Sequence, residues 1–380
     1  MRLKRALTAV VALGTFVIGA AAVAPTASAS SSTQVDRLAG SDAVDTAAKV
    51  SQHAWQTAGE GPDAPGMPAD AVVLTRNDHF GDGLVGAPLA SSKNGPLLLT
   101  SPNFLSGAAE QEIRRILPAG KTVYILGGTL AVSPDVENRV RALGYQVSRV
   151  WGATQYETAI AIADAANVNP GNIFVATGRE YYDALAAGAT AGGANGVVLL
   201  SDGPNLPWAV YDYINRHPNA DVYGVGGPAV AALQYGPRDY YALSGSDAVE
   251  TAISVAEGWS KVYYTGVATV RSYHDAMSGG SLAGVAGGPV LLTSPSALDS
   301  RSYAFLNRNA ADLYEVDLYG GTMALAPQVQ NDVVNAVGAA NAPSLTARSA
   351  APADAQPRDA KAAKPEFTVP ADAKLVHPTK

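Results

Sequence analysis

The feature that most constrains this chain is an internal repeat. Three segments resemble one another: RLAGSDAVDTA at 37–47, RVWGATQYETA at 149–159 and ALSGSDAVETA at 242–252. Each copy then carries an aspartate that opens a helix of small residues, and an apolar run (PLLLT, VVLLS or PVLLT) ends 18 residues after that aspartate. Chance does not reproduce one spacing three times between matching landmarks. The chain is therefore predicted to contain three copies of one module.

Apolar runs alternate with helical patterns inside each copy. In the first copy the runs cover 71–75, 96–100 and 122–126, and the helical patterns cover 82–92, 106–117 and 133–143. Continuous apolar runs between helices predict parallel strands that are buried on both faces. The predicted fold class is therefore α/β, with three tandem modules that each contain a parallel sheet flanked by helices. The first helix of each copy is rich in Ala and Gly and is expected to pack deeply.

The two ends of the chain differ from the repeats. Basic residues near the start precede an apolar stretch at 6–24, and small residues at 27–29 offer a cleavage site, which is typical of an export signal. Beyond residue 338 the composition is dominated by Ala, Pro and Lys, which predicts disorder. The predicted domains are an export signal at 1–29, repeats at 34–148, 149–240 and 241–338, and a disordered tail at 339–380.

Composition narrows the possible functions. The chain has 0 Cys, which excludes a thiol nucleophile, a thiolate metal site and a disulfide. Without the three basic residues of the signal, 23 basic residues face 33 acidic ones, so the net charge is −10. This charge argues against nucleic-acid binding, which needs a basic surface. After signal cleavage no segment reaches the ~20 apolar residues of a membrane span, so a secreted protein is expected.

Three groups of recurring residues form the candidate ligand-binding site. They are the aspartates Asp82, Asp183 and Asp275, the threonines Thr46, Thr158 and Thr251, and the first glycines of three Gly-Gly pairs, Gly127, Gly226 and Gly320. The aspartates are expected near the C-terminal edge of a parallel strand, where they could accept sugar hydroxyls or a bridging cation. The same residues also fit structural roles, with the aspartates as helix N-caps or first-turn acids, the threonines as capping or packing residues, and the glycines as positive-φ turns.

Few residues suggest catalysis. His79 lies near Asp82 and His274 precedes Asp275, but the second copy has Tyr182 at the corresponding place. No HExxH zinc motif and no GxSxG nucleophile motif is present. The sequence also displays no obvious set of three metal ligands. No catalytic residue, metal ligand or cofactor is therefore predicted.

The order of landmarks resembles the cell wall-binding repeat 2 family. The segments that carry the resemblance are RLAG…TA, the DAL-type helix start, PLLLT and VYILGG, over residues 35–338. The resemblance implies Toprim-like modules around a pseudo-threefold axis. It also implies non-catalytic, non-covalent attachment to an anionic secondary polymer or glycan of the Gram-positive cell wall. Because the modules are acidic, this attachment is expected to need local arginines or bridging divalent cations.

The arginines depart from the family pattern. Members commonly have an arginine after the Gly-x-Asp of the first landmark, where this chain has Ala43, Gln155 and Ala248. Arg37 and Arg149, which start the landmark, are kept as ligand-binding candidates, and the third copy has Tyr241 there. Two other functions remain open: a secreted wall hydrolase, and a protein-interaction module that has lost polymer binding.

Overall fold

The computed structural model describes residues 33–338 and 365–379. The predicted export signal and the predicted tail between 339 and 364 lie outside these residues. Within the described ranges, none of the helices has the length and apolar character that crossing a membrane requires.

Strands and helices alternate through all three copies, as predicted for the first. The strands are β1 (Gln34–Leu38), β2 (Ala71–Arg76), β3 (Leu97–Thr100), β4 (Thr122–Leu126), β5 (Gln146–Val150), β6 (Asn172–Thr177), β7 (Gly196–Ser201), β8 (Asp221–Val225), β9 (Tyr240–Leu243), β10 (Tyr264–Thr269), β11 (Val290–Thr293), β12 (Glu315–Tyr319) and β13 (Lys374–Val376). The helices are α1 (Ala43–Ala54), α2 (Gly86–Ser92), α3 (Gly107–Ile116), α4 (Pro134–Ala142), α5 (Gln155–Ala166), α6 (Tyr182–Gly193), α7 (Trp208–Arg216), α8 (Gly227–Leu233), α9 (Ala248–Ala256), α10 (His274–Ala286), α11 (Ser300–Asn309) and α12 (Pro327–Val337).

The strands form three sheets, one for each module. Their strand orders are β3-β2-β4-β5, β13-β9-β8-β6-β7 and β1-β12-β10-β11. Among these strands every pairing is parallel except that of β13 with β9. The strands β2, β6 and β10 are buried at all or all but one position, because helices cover both faces of each sheet. The predicted α/β class with three parallel sheets is confirmed.

The sheet boundaries do not coincide with the predicted repeat boundaries. The strand of each first landmark pairs in the sheet of the preceding module, so β5 lies beside β4 and β9 lies beside β8. β1 completes the cycle because it pairs with β12 of the third module. The predicted boundaries after residues 148 and 240 therefore divide β5 and β9. Each copy contributes one edge strand to its neighbour, and the three modules close into a ring.

Three helices, α2, α6 and α10, contact one another at the centre of the ring. Small residues permit this close approach, since a side chain at Gly192 or Gly284 would collide with Ser91 of the neighbouring helix. Most residues of these helices are buried, which confirms the expected deep packing. Equivalent helices in mutual contact place the modules around a pseudo-threefold axis, as the family resemblance implied.

The prediction of a disordered tail is wrong for residues 365–379. Phe367 is only 9% exposed, and its ring lies edge-on to Phe174, Tyr223 and Trp259, with ring centroids 5.4 to 5.8 Å apart. β13 then joins the second sheet as an antiparallel edge strand. The composition of the tail did not reveal this order, because one aromatic residue and three strand residues barely change the mean hydropathy of a long polar segment.

Candidate binding sites at the module junctions

The candidate residues of one module meet the threonine of the next module. At the first junction Asp82 follows β2, and its carboxylate lies directly against the Cα of Gly127, which follows β4. The Thr158 hydroxyl, on α5, lies within hydrogen-bonding reach of the same carboxylate and lowers its pKa. The structure therefore gathers a predicted aspartate, glycine and threonine at the C-terminal edge of the sheet, with the threonine supplied across the junction.

The same arrangement occurs at the other two junctions. The groups are Asp183, Gly226 and Thr251 at the second junction, and Asp275, Gly320 and Thr46 at the third. Thr46 lies on α1, so the third group forms only because the ring closes. All nine predicted residues are thus brought together in threes.

The threonines fix the chain at each junction. Their hydroxyls accept hydrogen bonds of 3.0 to 3.1 Å from the N–H groups of Gly40, Gly152 and Gly245, which belong to the first landmarks. The helix caps are instead Asp42, Thr154 and Asp247. The capping role weighed for the threonines is therefore wrong, whereas the packing role weighed beside it is borne out, since all three threonines are buried between the landmark glycine and the aspartate of the neighbouring module.

The glycines have positive φ, which confirms the turn interpretation. Their φ angles are +91° at Gly127, +81° at Gly226 and +109° at Gly320. Each N–H donates a 2.9 Å hydrogen bond to a carbonyl oxygen at the end of the first strand of the following copy. The acceptors are Val150, Leu243 and Leu38. These turns therefore attach the edge strand that each sheet receives from its neighbour.

Burial alters the acidity of the three aspartates. In each of them burial raises the pKa of the carboxyl, and the hydrogen bond from the threonine opposes the rise. His79 and His274 also lower the pKa of Asp82 and Asp275, respectively, whereas the second copy lacks such a histidine. The pKa of Asp183 accordingly reaches about 6.

This raised pKa predicts a pH effect for Asp183→Asn. Between about pH 4 and pH 6 the folded state binds more protons at Asp183 than the unfolded state does, so stability falls as pH rises through this window. Asparagine removes the charge and keeps an acceptor for Thr251. We expect the free energy of unfolding of the variant, relative to that of the parent protein, to increase by about 2 kcal/mol as the pH rises from 4 to 7. Urea unfolding at several pH values measures this, with the exposed Asp212→Asn as control; a pH-independent difference would contradict it.

Arg37 and Arg149 hold the glycine turns. Arg149 Nη1 donates to the Gly127 carbonyl oxygen at 2.9 Å, and Arg37 Nη1 donates to the Gly320 carbonyl oxygen at 3.0 Å. Strand register shows that their counterpart in the third copy is Ala242, since Ala242 pairs within β8–β9 as Arg149 pairs within β4–β5. The assignment of Tyr241 to this position is therefore wrong by one residue.

A cleft of about 540 Å³ opens between the second and third modules. It is lined by Tyr181, Tyr182, Asp247, Ala248, Val249, Val270 and Arg271. Ala248, one of the positions that lack the family arginine, is the first residue of α9 and lies in this cleft. Asp247 is engaged by Arg301 at 2.9 Å, whereas no ion pair of Arg271 is observed within residues 33–338 and 365–379. The cleft therefore presents an exposed guanidinium beside two tyrosines.

Three aromatic rings pack together immediately before the aspartates. Phe80, Tyr181 and Tyr273 each precede the aspartate of their copy by two residues, and their ring centroids lie 5.5 to 5.8 Å apart. Equivalent residues in mutual contact must surround the pseudo-threefold axis. This packing fixes the three aspartate loops relative to one another. The aligned spacing to the aspartates is the sequence signal that could have revealed it.

The histidines near the aspartates are occupied by local contacts. His79 Nδ1 accepts the N–H of Gly81 at 3.0 Å, and His274 Nε2 lies 2.7 Å from the Asn77 carbonyl oxygen. The His79 contact lies within its own loop, whereas His274 joins its own loop, through the Ser272 hydroxyl 3.1 Å from its Nδ1, to the Asn77 loop of the first module.

The fold and the repeated junctions define the class of protein, a ring of three α/β modules with polar sites where the modules meet. The chain belongs to the cell wall binding domain 2 family, whose model matches residues 37–137, 149–233 and 242–330.

Relatives and solved structures extend this comparison. The chain is 27% identical over 319 residues to N-acetylmuramoyl-L-alanine amidase LytC of Bacillus subtilis, covering 82% of this chain and 60% of that protein. It is 31% identical over 172 residues to the amidase enhancer of the same organism, covering 45% of this chain and 22% of that protein. Cwp6 and Cwp8 from Clostridium difficile share the fold, each with a TM-score of 0.70 and 23% identity. They match 82% and 81% of this chain, and 49% and 52% of their own.

Proposed function

We propose that this protein is secreted and binds an anionic polymer or glycan of the bacterial cell wall non-covalently and without catalysis, through the clefts between its modules. The cleft that contains Arg271 is the observation that carries the proposal. It joins a cation, two tyrosine rings and apolar side chains in one concave site, and ligand sites in proteins are typically concave with few polar groups. The family to which the chain belongs supports a wall ligand.

Arg271 would take over the charge of the absent family arginine. Ala248 leaves the start of α9 without a cation, while Arg271 reaches the same cleft from the loop after β10 of the same module. A guanidinium can form paired hydrogen bonds to a phosphate or carboxylate group of a polymer. Tyr181 and Tyr182 would supply aromatic surface for a sugar ring.

Trp151 marks a second contact surface at the first junction. Its indole is 57% exposed, and it lies against Gly128 beside the Asp82 group. A large exposed aromatic ring next to polar acceptors suits stacking against a sugar ring. Each of these two junctions would then offer polar groups beside an aromatic surface, although the side chains that provide them differ.

Substitution of Arg271 tests the proposed site. We expect Arg271→Ala to weaken binding to purified walls about tenfold, because one hydrogen-bonded charge contact is lost. Trp151→Ala should weaken binding several-fold. Matched controls are Arg216→Ala and Trp208→Ala, which remove an exposed arginine and an exposed tryptophan from α7. Equal affinity for all four variants and the parent protein, in a co-sedimentation titration, would place the ligand elsewhere.

Salt and chelator distinguish two forms of this binding. Direct contact between Arg271 and the polymer predicts that affinity falls as ionic strength rises and does not change with EDTA. Bridging by divalent cations, which the acidic charge of the modules favours, predicts loss of binding in EDTA and recovery with Ca²⁺ or Mg²⁺.

A further inference from the structure

Four ionisable side chains converge where β1 and α1 meet the third module. His53 Nε2 lies 2.6 Å from Glu315 Oε1 and 3.8 Å from Asp317 Oδ2. Asp36 on β1 pairs in register with Asp317 on β12. One ligand atom from each of these four residues lies within 4.8 Å of all the others.

The other two copies do not carry these residues. Asp317 corresponds by register to Tyr124 and Tyr223, and Glu315 corresponds to Thr122 and Asp221. In the helix of the first landmark, His53 corresponds to Ala165 of the second copy. The module fold therefore does not require the cluster, which is specific to the joint that closes the ring.

Buried tyrosines hold the Asp317 side chain in place. Asp317 is fully buried, and its Oδ2 accepts a 2.6 Å hydrogen bond from Tyr264, whose hydroxyl lies 2.6 Å from that of Tyr319. Gly266 and Gly279 leave the space that the Tyr319 ring occupies, since a Cβ at either position would overlap it. The supporting hydroxyls orient the carboxylate in the way that residues behind metal ligands do.

Asp317 Oδ1 has no hydrogen-bond partner among the described residues. A buried, unpaired carboxylate oxygen beside two further carboxylates is costly unless a cation compensates it. Three carboxylates and one imidazole nitrogen within 4.8 Å of one another provide such a place for a cation.

We propose that Asp36, His53, Glu315 and Asp317 form a binding site for one divalent transition-metal cation, with Zn²⁺ or Mn²⁺ as the class of ion that suits them. An imidazole nitrogen with carboxylate oxygens is a ligand set for these ions, whereas Ca²⁺ and Mg²⁺ prefer oxygen alone. Four-coordinate zinc separates its ligand atoms by about 3.3 Å, so the side chains need to contract only slightly. Asp36 and His53 are partly exposed and provide the path of entry.

The position of the site gives the metal a structural role. Asp36 and His53 belong to the first copy, and Glu315 and Asp317 belong to the third. A bound cation would therefore link β1 and α1 of the first copy to β12 of the third module, and so stabilise the closed ring. Because the ligands come from both the first and the third copy, the metal would bind tightly only when the ring is closed.

Calorimetric titration of the metal-free mature chain with ZnCl₂, MnCl₂ and CaCl₂ tests the site. We expect one Zn²⁺ or Mn²⁺ per chain with a dissociation constant in the micromolar range or below, weaker binding of Ca²⁺, and a higher melting temperature in the presence of the bound ion. His53→Gln and Asp317→Asn should each weaken binding at least tenfold. His53→Gln changes a partly exposed residue, so it remains informative if Asp317→Asn does not fold.

His377→Gln is the matched control, because His377 and Asp239 form another histidine–carboxylate pair, 2.9 Å apart and exposed. This variant should bind the metal as the parent protein does. Binding of no transition metal below millimolar concentration would overturn the proposal. Binding that is lost in His377→Gln and retained in His53→Gln would overturn it as well.

Discussion

Replacing Gly320 with alanine is expected to lower the free energy of unfolding by about 3 kcal/mol. The backbone at Gly320 has φ +109°, a conformation that residues with a Cβ rarely adopt. The added Cβ would also lie 2.5 Å from Asp275 Oδ2 and 2.9 Å from the Ala324 Cβ. Because Gly320 receives the edge strand β1, the strain acts on the joint that closes the ring.

The adjacent Gly321→Ala is the control for this prediction. Gly321 does not have positive φ, and a Cβ there would meet only Ala39, at 4.0 Å. We expect its effect on stability to stay within about 0.5 kcal/mol. Guanidinium unfolding followed by tryptophan fluorescence measures both variants. Equal stability of the two variants would show that neither the turn conformation nor the contact with Asp275 constrains this position.

Replacing Phe367 with alanine is the second substitution expected to have a large effect. Its ring is enclosed by Phe174, Tyr223 and Trp259, and Gly258 leaves the space for it. Removing a buried phenylalanine side chain typically costs about 3 kcal/mol, so docking of residues 365–379 should weaken by this amount. The last strand, β13, should then separate from β9, because it has few other buried contacts.

Limited trypsin digestion at Lys374 and urea unfolding report on this docking. Cleavage should be faster in Phe367→Ala than in the parent protein. Leu375→Ala is the control, since Leu375 is on β13 but is 52% exposed, and its effect should remain within about 0.5 kcal/mol. Unchanged cleavage in Phe367→Ala would mean that β13 holds the segment without the aromatic anchor.

Sequence periodicity revealed the modules and most of their strands because the repeat aligned the same apolar runs three times. It also selected the nine residues that meet at the junctions, but it did not show which copies supply each group. The partner of Asp82 is Thr158 of the next module, and this exchange depends on which sheet each edge strand joins. Strand order is a long-range property that local patterns do not encode.

The remaining differences also have physical causes. A Pro/Ala-rich average concealed the anchor Phe367, whose burial depends on a gap over Gly258. The cluster around Asp317 escaped notice because its members lie more than 260 residues apart and meet only on closure of the ring. Its signal was present as a departure from the repeat, since Asp317 in β12 stands where the other copies have Tyr124 and Tyr223. Comparing the copies for differences, as well as for similarities, would have found it.

Co-sedimentation of the mature chain with purified Gram-positive cell walls, before and after removal of their anionic polymers, tests the proposed function most directly. The protein used must retain residues 365–379, which belong to the second sheet. We expect the protein to pellet with intact walls and to remain in solution with stripped walls. Equal pelleting with both preparations, or pelleting with neither, would contradict recognition of an anionic wall polymer.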